Sequence, residues 1–348
     1  MGRRIVRIVL PVMVIILLVA TYPAFERLFT GGLSYLRVSL ARLELSIGLR
    51  EDAGTFLLGA YSPEAPYTME GVVRMETAME HRLDIIAIYQ TWGDRPEDEF
   101  PLALMRAIDE QHRIGMITWE PWTSAFRRNA GRAETARLTR LREIADGHYD
   151  AYIRGWAREA VIFGRPFFLR FAHEMNNPQY PWSLQAGNTP ADFVDAWRHV
   201  WRIFHQEGAR NVIWTWSPQN RFVAELYPGG EYVDWIATGV FNYGVYGDGV
   251  WYSFEFLYET FYREAITYEK PLMIAELGCS PFGGDQVAWY ADAFEKLRSR
   301  YPRTDAVVFY GNPADTTTPG AVIDWTIGDN PALLEMLRRA LPREPAAQ

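Results

Sequence analysis

Two glutamates, Glu174 and Glu276, each stand just past a short apolar run. Arg170-Phe-Ala-His173-Glu174-Met-Asn176 overlaps the end of the run Pro166–Phe171, and Glu276-Leu-Gly278 follows the run Pro271–Ala275. If both runs are strands whose ends meet, the two carboxyls can cut a glycosidic bond. One protonates the leaving oxygen while the other attacks the anomeric carbon or activates water there. Other chemistries fit less well. A zinc site of the H-E-x-x-H type after His173 needs histidine at position 177, which is Asn177, so no metal is expected. Gly278-Cys-Ser280-Pro-Phe282 departs from the G-x-S-x-G nucleophile elbow at its last position. Cys279 is the only cysteine, which excludes an intrachain disulfide, and it reads as a small buried hydrophobe. No cofactor is expected either: Gly247-Asp-Gly249-Val-Trp-Tyr252 lacks the third glycine of a dinucleotide fingerprint, and Lys270 and Lys296, the only lysines, follow no phosphate-binding loop.

The elements that would position these groups alternate in type. Strand-like runs cover Phe56–Tyr61, Asp84–Tyr89, Gly115–Glu120, Pro166–Phe171, Asn211–Trp216, Trp235–Phe241, Pro271–Ala275 and Ala306–Tyr310. Helix-like stretches between and after them include Pro101–His112, Thr135–Phe163, Pro190–Glu207, Gln286–Arg300 and Pro331–Leu341. Eight such pairs without a dividing linker predict a single α/β domain, a (β/α)8 TIM barrel over residues 54–345. Catalytic groups of a barrel lie at the C-terminal ends of its strands, where Glu174 and Glu276 fall. The 13 Trp, 19 Tyr and 19 Phe suggest sugar-stacking faces, and Trp119, Trp122, Trp182 and Trp216 are the expected platforms along the cleft.

The chain begins with Arg3, Arg4 and Arg7, followed by an uncharged run from Ile8 to Phe25, long enough to cross a bilayer. Residues 1–27 therefore read as a transmembrane helix preceding the barrel, or as a signal sequence, though Val19-Ala-Thr-Tyr22 is a poor cleavage site. Residues 28–53 read as a linker helix carrying Leu36, Leu40, Leu43 and Ile47 on one face. Arginines on the cytoplasmic side place the barrel outside the cytoplasm, in the periplasm or at the cell surface, anchored to the inner membrane or else secreted. The formal charge of −8 argues against a nucleic-acid partner.

Longer stretches resemble a known family. Arg170-Phe-Ala-His-Glu-Met-Asn176, Tyr180-Pro-Trp182, Asn188 to Val200, Asn211-Val-Ile-Trp-Thr-Trp216-Ser-Pro218, Tyr232-Val-Asp234-Trp235, Ile274-Ala-Glu276-Leu-Gly278 and Asp324-Trp325 together resemble glycoside hydrolase family 26, the β-mannanase-like enzymes. The resemblance spans most of Phe56–Leu341 and implies a clan A (β/α)8 barrel and a retaining mechanism. It implies Glu174 as acid/base and Glu276 as nucleophile, with Arg170, His173 and Tyr243 supporting them and Trp182 and Trp325 shaping sugar subsites. A guanidinium and a tyrosine hydroxyl near Glu276 would favour its charged form, whereas an apolar wall and a neighbouring negative charge would keep Glu174 protonated. Two positions depart from the family pattern: Asn177 stands where glycine is common, and strand 8 ends Phe309-Tyr310-Gly311-Asn312 without a tryptophan.

The expectation is a membrane-anchored, monomeric, retaining endo-β-glycan hydrolase that takes a β-linked polysaccharide or oligosaccharide, with β-1,4-mannan favoured. β-1,3-1,4-Glucan and β-1,3-xylan are the alternatives within the family. Transglycosylation through the same intermediate and a non-catalytic glycan-binding accessory of polysaccharide synthesis or export are the alternatives outside hydrolysis.

Overall fold

The computed structural model describes residues 56–65, 68–126, 139–328 and 330–341. The expected membrane helix and linker helix lie outside the described residues. Among the described residues no helix is long and apolar enough to cross a membrane.

Eight parallel strands close into a barrel in sequence order: β1 Leu57–Tyr61, β2 Ile85–Thr91, β3 Ile114–Glu120, β4 Phe167–Phe171, β5 Val212–Trp216, β6 Trp235–Asn242, β7 Leu272–Cys279 and β8 Thr304–Tyr310. The helices around it are α1 Glu70–Met79, α2 Leu102–Glu110, α3 Leu141–Ala145, α4 Asp150–Phe163, α5 Pro190–Glu207, α6 Phe254–Ala265, α7 Gln286–Ser299 and α8 Pro331–Ala340. The barrel interior is packed by Ile85, Ala87, Met116, Phe168, Ile213, Trp235, Ala237, Met273, Ala275, Ala306 and Val308. A filled interior leaves the ends of the strands as the place for chemistry.

The N-terminal rim is tied together by a repeated device. Asp84, Asp234 and Asp305, each at or beside the start of its strand, accept the backbone N–H of Leu58, Trp214 and Leu272 on the preceding strand, at 2.9, 2.8 and 3.1 Å. The first turn of α5 is fastened by Thr189 and Asp192, each side chain accepting the other's backbone N–H.

Three expectations need correction. The stretch Thr135–Phe163 is not one helix: α3 and α4 are separated by a turn through Gly147, and residues 127–138 lie outside the described residues. The fifth strand is followed by a 3-10 turn, Ala224–Leu226, rather than an α-helix. The link is short and carries Pro218, Pro228, Gly229 and Gly230, so Phe222 and Tyr227 cover Trp216 instead, with ring centroids 4.9 and 5.3 Å from it. Finally, the seventh strand does not stop at Ala275 but runs on to Cys279, so Glu276 lies inside it.

Candidate active site

Glu276 reaches the barrel mouth because β7 is bulged. Strict alternation from Met273 and Ala275 would send the next inward position to Leu277 and turn Glu276 toward the helices. Instead Ile274 and Leu277 both pack in the core between barrel and helices, and the pairing with β6 skips Ala275, so that Glu276 faces Gly239. A bulge of this kind re-aims a side chain while the sheet continues on either side.

Glu174 arrives differently. It stands past the end of β4 in a turn where Ala172 and Glu174 itself take left-handed backbone angles, φ 45° and 50°. Such conformations cost about 1–3 kcal/mol for non-glycine residues and persist when neighbours over-determine them. Here the Ala172 N–H donates to the Trp119 carbonyl on β3 (3.1 Å) and the Glu174 N–H to the Ser217 carbonyl after β5 (2.7 Å), pinning the turn from both sides.

The two carboxylates meet over Gly239. A Cβ at that glycine would lie 3.2 Å from Glu276 Oε2 and 3.4 Å from Glu174 Oε1. Those two oxygens are therefore less than about 7 Å apart, below most of the inverting range of about 6.5–9.5 Å. Gly239 is the residue that permits this meeting, since any side chain there would press on both acids.

Their surroundings differ. Glu276 Oε1 accepts from Arg170 Nη1 at 3.0 Å and from the Tyr89 hydroxyl, and Arg170, fully buried, also donates to Thr118 Oγ1 at 3.1 Å. Burial and the Glu276 charge push the Tyr89 hydroxyl well above the usual tyrosine range, so it stays a donor. Glu174 Oε2 accepts from Asn177 Nδ2 at 2.7 Å. Burial, and next the Glu276 charge, raise the Glu174 carboxyl to about 7, with the Asn177 hydrogen bond and Arg170 pulling the other way. A carboxyl at that value is half protonated near neutrality, which suits a proton donor.

The cleft encloses ≈ 530 Å³ counted out to its open mouth, and Tyr89, Tyr180, Tyr243, Phe241 and Tyr310 line it together with Asp315 and both glutamates. The expected tryptophan platforms are not there. Trp119 and Trp216 are fully buried on the outer faces of β3 and β5; Trp119 stacks on Trp156 of α4 at 4.5 Å. Trp182 is buried beneath Tyr180 (4.6 Å, 17° between planes), with Nε1 donating to the His173 carbonyl at 2.7 Å. Trp325 is buried behind Phe241 and Tyr243 and donates to Asp315 Oδ2 at 2.8 Å. Trp122 is partly buried, edge-on to Trp182, and donates to Glu120. These rings brace the wall; the tyrosines and Phe241 form it. The reason is parity. Glu120 and Thr118 face the barrel axis, so Trp119 between them faces the helices, and Trp216 is likewise out of phase with Thr215.

Tyr243 lines the cleft as expected, but the hydroxyl that meets Glu276 is that of Tyr89. His173 is buried, its Nε2 3.0 Å from the Tyr180 hydroxyl, and burial together with Arg170 holds it well below the usual histidine range, hence neutral. Two further residues, Tyr89 and Glu120, stand at the mouth beside the expected ones. Tyr89 ends its predicted strand and shares the inward parity of Ile85 and Ala87, a signal that was present. Glu120, the last residue of β3, is a third carboxyl near the pair. Burial raises it to about 7 against the 3.0 Å hydrogen bond from Trp122 Nε1, and the Glu276 charge adds to the rise. Cys279 is buried and its thiol pushed up by burial. Among the described residues no group of His, Cys, Asp and Glu could hold a metal ion.

A closed (β/α)8 barrel with facing carboxylates at its C-terminal mouth is an arrangement suited to cutting a glycosidic bond. Residues 149–277 match the model of Glycosyl hydrolase family 26. The chain is 28% identical over 271 residues to Endoglucanase H of Acetivibrio thermocellus, covering 75% of this chain and 27% of that protein. It is also 28% identical over 108 residues to Beta-1,3-xylanase TXYA of a Vibrio species, covering 29% of this chain and 22% of that protein. The chain thus spans about a quarter of the length of these curated relatives. In fold it is similar to the Bacillus subtilis mannanase BCman, with TM-score 0.62 and 17% identity, over 86% of this chain and 90% of that one.

Proposed function

We propose that this chain is a retaining endo-β-glycan hydrolase with β-1,4-mannan as its favoured substrate. Glu276 attacks the anomeric carbon and forms a glycosyl-enzyme. Glu174 gives its proton to the departing sugar oxygen, then takes one from the water that releases the glycone. The observation that carries this reading is the approach of both carboxylates to one point above Gly239, with Glu276 held by Arg170 and Tyr89 and Glu174 raised to about 7. A gap of less than about 7 Å supports retention, which uses carboxyls about 5–5.5 Å apart, over inversion, which uses about 6.5–9.5 Å.

Mixed-linkage β-glucan and β-1,3-xylan are second readings, favoured by the likeness to proteins named Endoglucanase H and Beta-1,3-xylanase. The arginines before the apolar run in residues 1–27 support an extracytoplasmic, membrane-anchored location. The test is digestion of β-1,4-mannan, β-1,3-1,4-glucan and β-1,3-xylan, with the anomer released followed by NMR. Retained configuration on mannan is the expected result. Inversion would overturn the mechanism, and turnover of glucan or xylan alone would overturn the substrate.

A further inference from the structure

Half of the large hydrophobic side chains that the described residues expose fall in one region. Of eight, Val245, Val250, Phe256 and Phe282 lie on the β6–α6 and β7–α7 connections and the first turn of α6. Phe282 is 56% exposed, and the Tyr246 ring sits edge-on to it at 6.3 Å. These connections leave the C-terminal ends of the strands that carry Gly239 and Glu276, so the patch adjoins the cleft at the catalytic end of the barrel.

The patch is built rigidly. Val245 N–H donates to the Phe282 carbonyl at 3.3 Å, and Tyr246 N–H donates to the carbonyl of the cleft residue Tyr243 at 3.1 Å. Ser280 Oγ accepts the Phe282 N–H at 3.1 Å. The two loops touch backbone to backbone at Gly244 and Gly283, which take φ 58° and 110°. A Cβ on Gly244 would collide with the Phe282 carbonyl, and one on Gly283 would lie 2.9 Å from the Val245 nitrogen. Beside them Tyr252 stacks on Phe256 at 4.6 Å and donates its hydroxyl to Asp248. Apolar surface held out on a braced loop at the mouth of a site, with polar groups around it, marks a binding surface.

We propose that Phe282, with Tyr246 and Val245, is a distal sugar platform: the glycan chain leaves the cleft past Tyr243 and lays a further pyranose ring, C–H face down, on Phe282. The inference rests on the reading of the chain as a β-glycan hydrolase. Continuity with the cleft selects this occupant: Tyr243 is at once a wall of the catalytic cleft and the residue to which the platform loop is hydrogen-bonded. A neutral pyranose offers an apolar face to the ring and hydroxyls to its polar rim, and an exposed aromatic held in place loses little freedom on binding it.

The test compares Phe282→Ala, Phe282→Trp and Val322→Ala, the last an exposed hydrophobe outside the patch, on manno-oligosaccharides and mixed-linkage gluco-oligosaccharides of increasing length. The measured quantity is the ratio of kcat/KM between long and short substrates. Phe282→Ala lowers that ratio about tenfold, Phe282→Trp keeps it, and Val322→Ala leaves it at the parent value. An unchanged ratio in Phe282→Ala overturns the platform while leaving the hydrolase reading intact. Retardation of the Glu276→Ala variant in gels containing soluble mannan or glucan reads binding without turnover, and loss of retardation on adding Phe282→Ala supports the platform. Absence of both turnover and retardation on every glycan overturns the hydrolase reading and the platform with it. Concentration-dependent self-association of the parent, abolished by Phe282→Ala with no change in the length ratio, assigns the patch to a second copy and overturns the sugar.

Discussion

The ends of β4 and β7 deliver the same functional group by opposite means. Glu276 sits inside a bulged strand, re-aimed by one skipped pairing and fixed by a buried arginine and a tyrosine hydroxyl. Glu174 sits beyond its strand on a turn with two left-handed residues and receives only the neutral amide of Asn177. Two acids less than about 7 Å apart cannot both be comfortable as anions, and the cationic partner has been given to one of them. The difference teaches that two identical side chains are distinguished by what surrounds each carboxyl, and the proposed roles of acid and nucleophile rest on that contrast.

Removing each acid breaks the comparison most severely. Glu276→Ala abolishes turnover by about 10⁴-fold or more on every substrate, because no step proceeds without the nucleophile. Glu174→Ala costs about 10²–10⁴-fold on natural glycans but largely spares aryl glycosides whose phenol leaves without a proton. Steady-state rates on both substrate types check this, and equal losses from the two variants would end the division of roles.

Trp119→Ala probes the outer face of the strands. A fully buried indole stacked on α4 is lost, so stability falls by about 3–5 kcal/mol while KM on glycans holds. Denaturant unfolding alongside kinetics measures both, and a raised KM with unchanged stability would return Trp119 to the sugar.

The mildest change sharpens the electrostatic contrast. The acid must be protonated to act, so kcat/KM declines as pH rises through about 7, the value to which burial lifts Glu174. The Asn177 amide holds that value down. Asn177→Ala therefore moves the alkaline limb to higher pH by roughly half a unit to one unit, and a limb that stays put or moves toward acid contradicts the assignment of Glu174 as the titrating donor.

Much of this was legible in the chain. The alternation of apolar runs and amphipathic stretches announced eight parallel strands, and the position of Glu174 and Glu276 at run ends announced the mouth they share. Aromatic richness alone does not locate the sugar platforms, because strand phase decides which face a ring takes: Trp119 lies one residue from inward-facing Glu120 and Thr118, and one residue reverses a strand side chain. Tyr89 has the inward phase of Ile85 and Ala87, so its place beside Glu276 is legible in the strand's alternation. The bulge before Glu276 has no local sign at all; Ile274-Ala-Glu276-Leu reads as an ordinary strand.

What the chain determined unaided is periodicity, because burial of alternating or helically spaced apolar side chains depends on neighbours a few residues away. What only the tertiary structure decided is the separation of the carboxylates, the tyrosine that meets Glu276, and the choice of which acid receives Arg170. Those depend on strands remote in sequence closing into one ring, where a single skipped pairing turns a side chain from the helices to the substrate.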